Sequence, residues 1–251
     1  MNDLTHVTSD YETYVSFLEQ KRIRDMSQRP EEWVISNSLP KKITKDGQMN
    51  HFRGSTSVIR LSLPDREACQ AAQTRLLREL GSRLVPLLPE TFHLTIHCFS
   101  NENNTPGGVQ AVLADVDKRE GEIAAAFRLI AEQYGGQSIR MRSLGASTNG
   151  KDVASVKYAP ASERDYTILM DLYNRMNKLF PENGDYVPHV SLAYFKLEKL
   201  SKEEIDNLYA TLEQIHEELP LDIELDIDRF VYQHHEHMND FRDIFSIREL
   251  R

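Results

Sequence analysis

Cysteine is nearly missing: the 251-residue chain has two, Cys69 and Cys98, in stretches that read as helix and strand. That excludes a disulfide framework and fits a reducing compartment, so a cytoplasmic location is expected. Long apolar runs are missing too. None approaches the ~20 residues that span a bilayer, and the opening Met1-Asn2-Asp3-Leu4-Thr5-His6 lacks the basic-then-apolar order of a secretory signal. Positive charge is scarce: 30 Lys and Arg face 39 Asp and Glu, a net charge of −9. Proteins that grip long nucleic acid carry a basic face. Extended nucleic-acid binding is therefore not expected, although a small basic pocket for one or two phosphates is compatible with this balance. No His-Glu-x-x-His motif occurs. What remains is an ordinary globular composition, long enough to bury one large domain or two small lobes.

One pattern stands out. Thr91-Phe92-His93-Leu94-Thr95-Ile96-His97-Cys98-Phe99 alternates polar and apolar residues, the period of a half-buried strand. Phe92, Leu94, Ile96 and Cys98 share one face; His93, Thr95 and His97 share the other. A second run, Val187-Pro188-His189-Val190-Ser191-Leu192-Ala193-Tyr194-Phe195, sets His189 and Ser191 on one face and Val190, Leu192 and Tyr194 on the other. The tripeptide His-x-Ser/Thr alone is common enough to arise by chance. A third instance, His6-Val7-Thr8, lies in a polar segment and carries no signal. The apolar strand context distinguishes the other two.

Along the chain, residues 1–45 read as an N-terminal helical extension and linker, either a cap or a lid. Its helix spans Tyr11 to Arg24, Trp33-Val34-Ile35 forms an apolar patch that packs on the main domain, and Leu39-Pro40-Lys41-Lys42 is a linker. Residues 46–251 read as the main domain. A strand over Ser55–Leu63, a helix from Pro64 to Leu80 and the strand carrying His93 form one unit. Two strands at Ile139–Leu144 and Val153–Tyr158 meet at a Thr148-Asn149-Gly150 turn. A helix capped by Ser162 then leads to the strand carrying His189. A helix is also expected over Asp115–Tyr134 and another over Ser201–Leu219. Leu221–Val231 and Phe241–Ile247 read as a closing hairpin. The order strand, helix, His-bearing strand thus occurs twice, which fits two lobes facing each other across a cleft.

His93-Leu94-Thr95-Ile96 and His189-Val190-Ser191-Leu192 resemble, position by position, the paired His-apolar-Thr/Ser-apolar motif of the two-histidine (2H) phosphoesterases. That superfamily includes RNA 2′,3′-cyclic phosphodiesterases, often named 2′-5′ RNA ligases. The likeness covers roughly residues 46–251, and Asp46-Gly47 with Phe52-Arg53-Gly54-Ser55-Thr56 looks like an uncharacterised bacterial branch. The resemblance implies an α+β fold: two pseudo-twofold-related antiparallel sheets, helices outside, a central cleft. It implies phosphodiesterase chemistry with no metal and no cofactor, on nucleotides, short oligonucleotides or RNA ends. The alternative is a nucleotide- or RNA-end-binding module without catalysis.

If the lobes face each other, His93 and His189 serve as base and acid at one phosphorus, and which does which stays open. Thr95 and Ser191 donate hydrogen bonds to the phosphate oxygens. Further substrate contacts are sought at His97, which is otherwise structural, at Arg140 and Arg142, which share a face, and at Phe195, otherwise core. Tyr194 reads as core. His234-His235-Glu236-His237 lacks metal-ligand spacing and reads as a solvated hairpin loop.

Overall fold

The computed structural model describes residues 10–149 and 152–251. His6 and the tip of the expected 148–150 turn lie outside the described residues. The chain forms an α+β fold with two antiparallel sheets and helices packed outside them.

The first sheet has the order β3-β1-β8-β9: β1 is Gly54–Arg60, β3 His93–Asn101, β8 Phe230–His237 and β9 Asp240–Ser246. The second has the order β2-β6-β5-β4-β7: β2 is Leu84–Pro86, β4 Ser138–Asn149, β5 Val153–Pro160, β6 His189–Phe195 and β7 Ile223–Asp226. In each, the His-bearing strand pairs antiparallel with the strand that begins its unit, β3 with β1 and β6 with β5. β3 and β6 meet where the sheets adjoin.

Helices α3 (Leu63–Leu80) and α5 (Glu163–Leu179) are the outer arms of the two units. Ser62 and Ser162 occupy their N-caps, each accepting a bond from an amide three residues on. α6 (Lys202–Glu218) opens on a full capping box between Ser201 and Glu204.

β2 crosses to pair with β6 of the other unit, tying the lobes together. Four expectations need correction. α4 begins at Gly108, not Asp115, and runs to Tyr134. β4 extends past Leu144 to Asn149, because its partner β5 stays paired up to the turn. The closing hairpin is β8–β9. Residues 223–226 instead edge the second sheet, and a 3-10 turn capped by Asp226 redirects the chain. His234–His237 consequently belong to a strand, not a loop.

The N-terminal segment is bolted down. α1 (Tyr11–Ser27) buries Tyr14, Leu18, Arg22 and Met26 at a four-residue spacing that marks one helix face. The Tyr14 hydroxyl donates to the Tyr186 carbonyl at 2.9 Å, and Trp33 packs on Phe195 with ring centroids 4.7 Å apart. Leu39 and Ile43, at either end of the one-turn helix α2 (Leu39–Lys42), are fully buried. All of these except Arg22 belong to the core cluster that runs through both sheets.

Candidate active site

Alternation along β3 and β6 buries Leu94 and Val190 and turns His93, Thr95, His189 and Ser191 the other way, as the period of a strand requires. All four line one cleft of about 360 Å³. The imidazoles are held alike. Nδ1 of His93 bonds the Thr91 carbonyl at 2.7 Å, and Nδ1 of His189 bonds the Val187 carbonyl at 2.9 Å. A carbonyl only accepts, so each Nδ1 carries the hydrogen and each Nε2 keeps a free lone pair.

Burial lowers the pKa of His93 to about 4, aided by the charges of His189 and Arg60 and opposed by the Thr91 carbonyl. Burial likewise lowers His189, with Lys157 and Lys42 adding to the effect. Both rings are neutral bases in the free protein near pH 7. An anion between them would raise both values.

The alternation breaks at the same point in both strands. On β3 the pairing jumps from Val58–Thr95 to Ser57–His97, leaving Ile96 as an extra residue. On β6 it jumps from Ser155–Ser191 to Ala154–Ala193, leaving Leu192 extra. A bulge reverses the face of everything beyond it. His97 therefore turns away from the cleft and is 1% exposed. Its Nε2 donates to Asn177 Oδ1 at 3.1 Å, and it packs on Phe99 and Tyr173. Phe195 is buried beneath Trp33 and does not reach the cleft. Cys98 and Tyr194, five residues after each motif histidine and expected in the core, line the cleft instead. One irregularity, repeated in both lobes, explains all four departures.

Arg140 and Arg142 do share a face, the outer one. Ile139 and Met141, which alternate with them, are buried, both arginines are exposed, and Arg142 pairs with Glu19 of α1 at 2.7 Å. Neither lines the cleft.

Sequence reasoning missed several lining residues. His235 of β8 is nearly buried and stacks on Phe52, and its Nδ1 bonds the Phe52 carbonyl at 2.7 Å. Burial lowers its pKa to about 4. Alternation through Val231, Gln233 and His235 was the available signal. Glu182 stands at the rim, open to solvent on one side, and burial of its carboxyl raises its pKa to about 7. Lys42, from the expected linker, reaches the cleft wall. No group of three or more His, Cys, Asp or Glu side chains among the described residues is arranged to hold a metal ion.

No known protein-family profile matches this chain, and no curated protein sequence matches it. Solved structures share its fold at low identity. A conserved protein of unknown function from Agrobacterium tumefaciens aligns at 16% identity and a TM-score of 0.62, over 85% of this chain and all of that one. TT0787 of Thermus thermophilus aligns at 16% identity and a TM-score of 0.50, over 78% of this chain and 98% of its own. A protein described as a phosphoesterase aligns at 13% identity and a TM-score of 0.48, over 77% of this chain and 96% of that chain. The first two show that the α+β architecture is shared with known structures.

Proposed function

We propose that this protein is a phosphodiesterase of the 2H type. It hydrolyses cyclic or 2′-5′ phosphodiester bonds in nucleotides, short oligonucleotides or RNA ends, with His93 and His189 as general base and general acid. One observation carries the reading: two imidazoles, one from each sheet, are pinned through Nδ1 so that both Nε2 atoms are free at one cleft. A binding site alone does not require two titratable rings held in matching tautomers.

In hydrolysis of a 2′,3′-cyclic phosphate, water attacks phosphorus in line with a ribose oxygen. One Nε2 takes the proton that water loses as its oxygen bonds phosphorus. The other Nε2, protonated, gives its proton to the ribose oxygen as that P–O bond breaks. The products are a phosphomonoester and a free hydroxyl, and the two histidines exchange protonation states. Thr95 and Ser191 donate to the non-bridging oxygens as negative charge builds. The net charge of −9 favours a short substrate over a long polyanion.

The test is hydrolysis of 2′,3′-cyclic mononucleotides, 2′-5′ dinucleotides and cyclic dinucleotides, with and without EDTA. Turnover that survives EDTA and needs both histidines supports the reading. Tight binding without turnover supports the non-catalytic alternative.

A further inference from the structure

Both histidines are neutral in the free protein, and the chain as a whole is acidic. Something must attract a phosphodiester anion to the cleft. Among the described residues lining it, Lys42 is the one fixed positive charge. The ammonium lies 5.4 Å from the Phe52 ring centroid and 5.3 Å from that of Tyr194, within cation–π range of both. No carboxylate stands at ion-pair distance from it among the described residues. Nearby basic side chains are committed elsewhere: Arg53 pairs with Glu236, Arg60 with Asp243, and Lys157 with Asp25. A half-buried ammonium held by two rings, with the Asp152 charge felt only from beyond ion-pair distance, is set up to receive an anion.

Its placement is built in. Leu39 and Ile43, fully buried on either side, anchor α2, and Ser38 bonds Asp152 beside β5. Tyr194 reaches the cleft only because β6 bulges at Leu192. The charge of Lys42 is also felt at His189 and at His235, both cleft residues. The Tyr194 phenol keeps the Lys42 pKa above the ordinary lysine value against the pull of burial, so the group stays charged.

We infer that Lys42 is a catalytic residue delivered by the N-terminal segment: its ammonium contacts the non-bridging oxygens of the phosphate held between His93 and His189. This rests on the phosphodiesterase reading. It also makes the expected extension a contributor to the active site through Lys42, neither a passive cap nor a movable lid.

The experiment compares wild type, Lys42→Met and Lys42→Arg in hydrolysis of 2′,3′-cyclic AMP and in binding of inorganic phosphate. Lys42→Met keeps the apolar stem and is expected to lose roughly 100-fold in kcat/KM. It should also bind phosphate more weakly, and the His189 imidazole, followed by NMR, should titrate at higher pH once the nearby charge is gone. Lys42→Arg should retain most of the activity. Phosphate should shift the Lys42 ε-methylene resonance of the wild-type protein, a readout that needs no variant to fold. Lys42→Met with wild-type kcat/KM and wild-type phosphate affinity, or a Lys42 resonance that phosphate leaves unmoved, would overturn the inference. A wild-type protein that turns over none of the cyclic phosphates, yet shows the phosphate-dependent shift, would defeat the phosphodiesterase reading and leave the anion site standing.

Discussion

The tautomers of the histidines separate their roles. His93 and His189 give their Nδ1 hydrogens to backbone carbonyls and keep Nε2 for the cleft. His97 uses Nε2 to reach Asn177, and its Nδ1 is buried without a partner. Asn177 Oδ1 also accepts the Glu182 amide at 2.8 Å, so His97 braces the loop that carries Glu182. His97→Leu keeps the bulk and removes that donor. We expect it to cost about 1–3 kcal/mol of stability while changing kcat by no more than a few-fold, read from urea denaturation and steady-state rates. Proton linkage tests the depressed imidazoles. Sulfate, which carries no titrating proton in this range, raises both pKa values when it sits between them, so its binding should take up protons between pH 5 and 7. Calorimetry in buffers of different ionisation enthalpy measures that uptake. Release of protons, or none exchanged, would contradict neutral rings in the free site.

Paired bulges are the devices that matter most among the elements. Period-2 reading located both motif strands and the inward faces of His93, Thr95, His189 and Ser191. It failed past Thr95 and Ser191, because a bulge adds a residue without leaving a mark in composition. Ile96 and Leu192 look like any apolar strand residue, and only their partners' spacing exposes them. His235 was missed for another reason, a short turn at Asp226 that sets its strand later than the expected hairpin, and Lys42 because its segment carries no periodicity. Cap residues, in contrast, are local chemistry, and Ser162 was legible. The N-terminal segment supplies the second test here. Trp33 is buried against Phe195 on β6. Trp33→Ala should cost about 3–5 kcal/mol and reduce activity as α2 loosens. Thermal unfolding and rates at a temperature where the variant remains folded read both effects.

At the scale of the whole molecule, a four-stranded and a five-stranded sheet adjoin at one cleft, and the buried imidazoles in and behind it make stability depend on pH. His93, His97 and His235 have pKa values lowered to about 4 by burial. The unfolded chain, with ordinary values near 6.5, binds more protons than the folded one between about pH 4 and 6.5. Stability is therefore full above 6.5 and is lost as pH falls through that window. Glu182, raised to about 7, acts in the opposite sense between its ordinary value and 7. Three groups outweigh one. We expect the unfolding free energy from urea denaturation to drop on going from pH 7 to pH 5, by at least roughly 1 kcal/mol per unit below 6.5. Glu182→Gln should steepen the loss. A flat profile would show that the imidazoles are not shielded as described.

The two halves were legible as a repeated pattern because each motif strand needs one apolar face. The crossing of β2 into the opposite sheet was not, since three residues, Leu84–Pro86, cannot announce their partner. That strand welds the lobes and keeps the histidines in one cleft. The central claim is that His93 and His189 work as one unit on a single phosphorus. The most direct measurement is kcat/KM for 2′,3′-cyclic AMP in wild type, His93→Ala, His189→Ala and the double variant. Each single change should cost at least about 100-fold, and the double variant should be little worse than either single one, as groups acting together require. Wild-type turnover in either single variant, or losses that multiply in the double variant, would contradict the account.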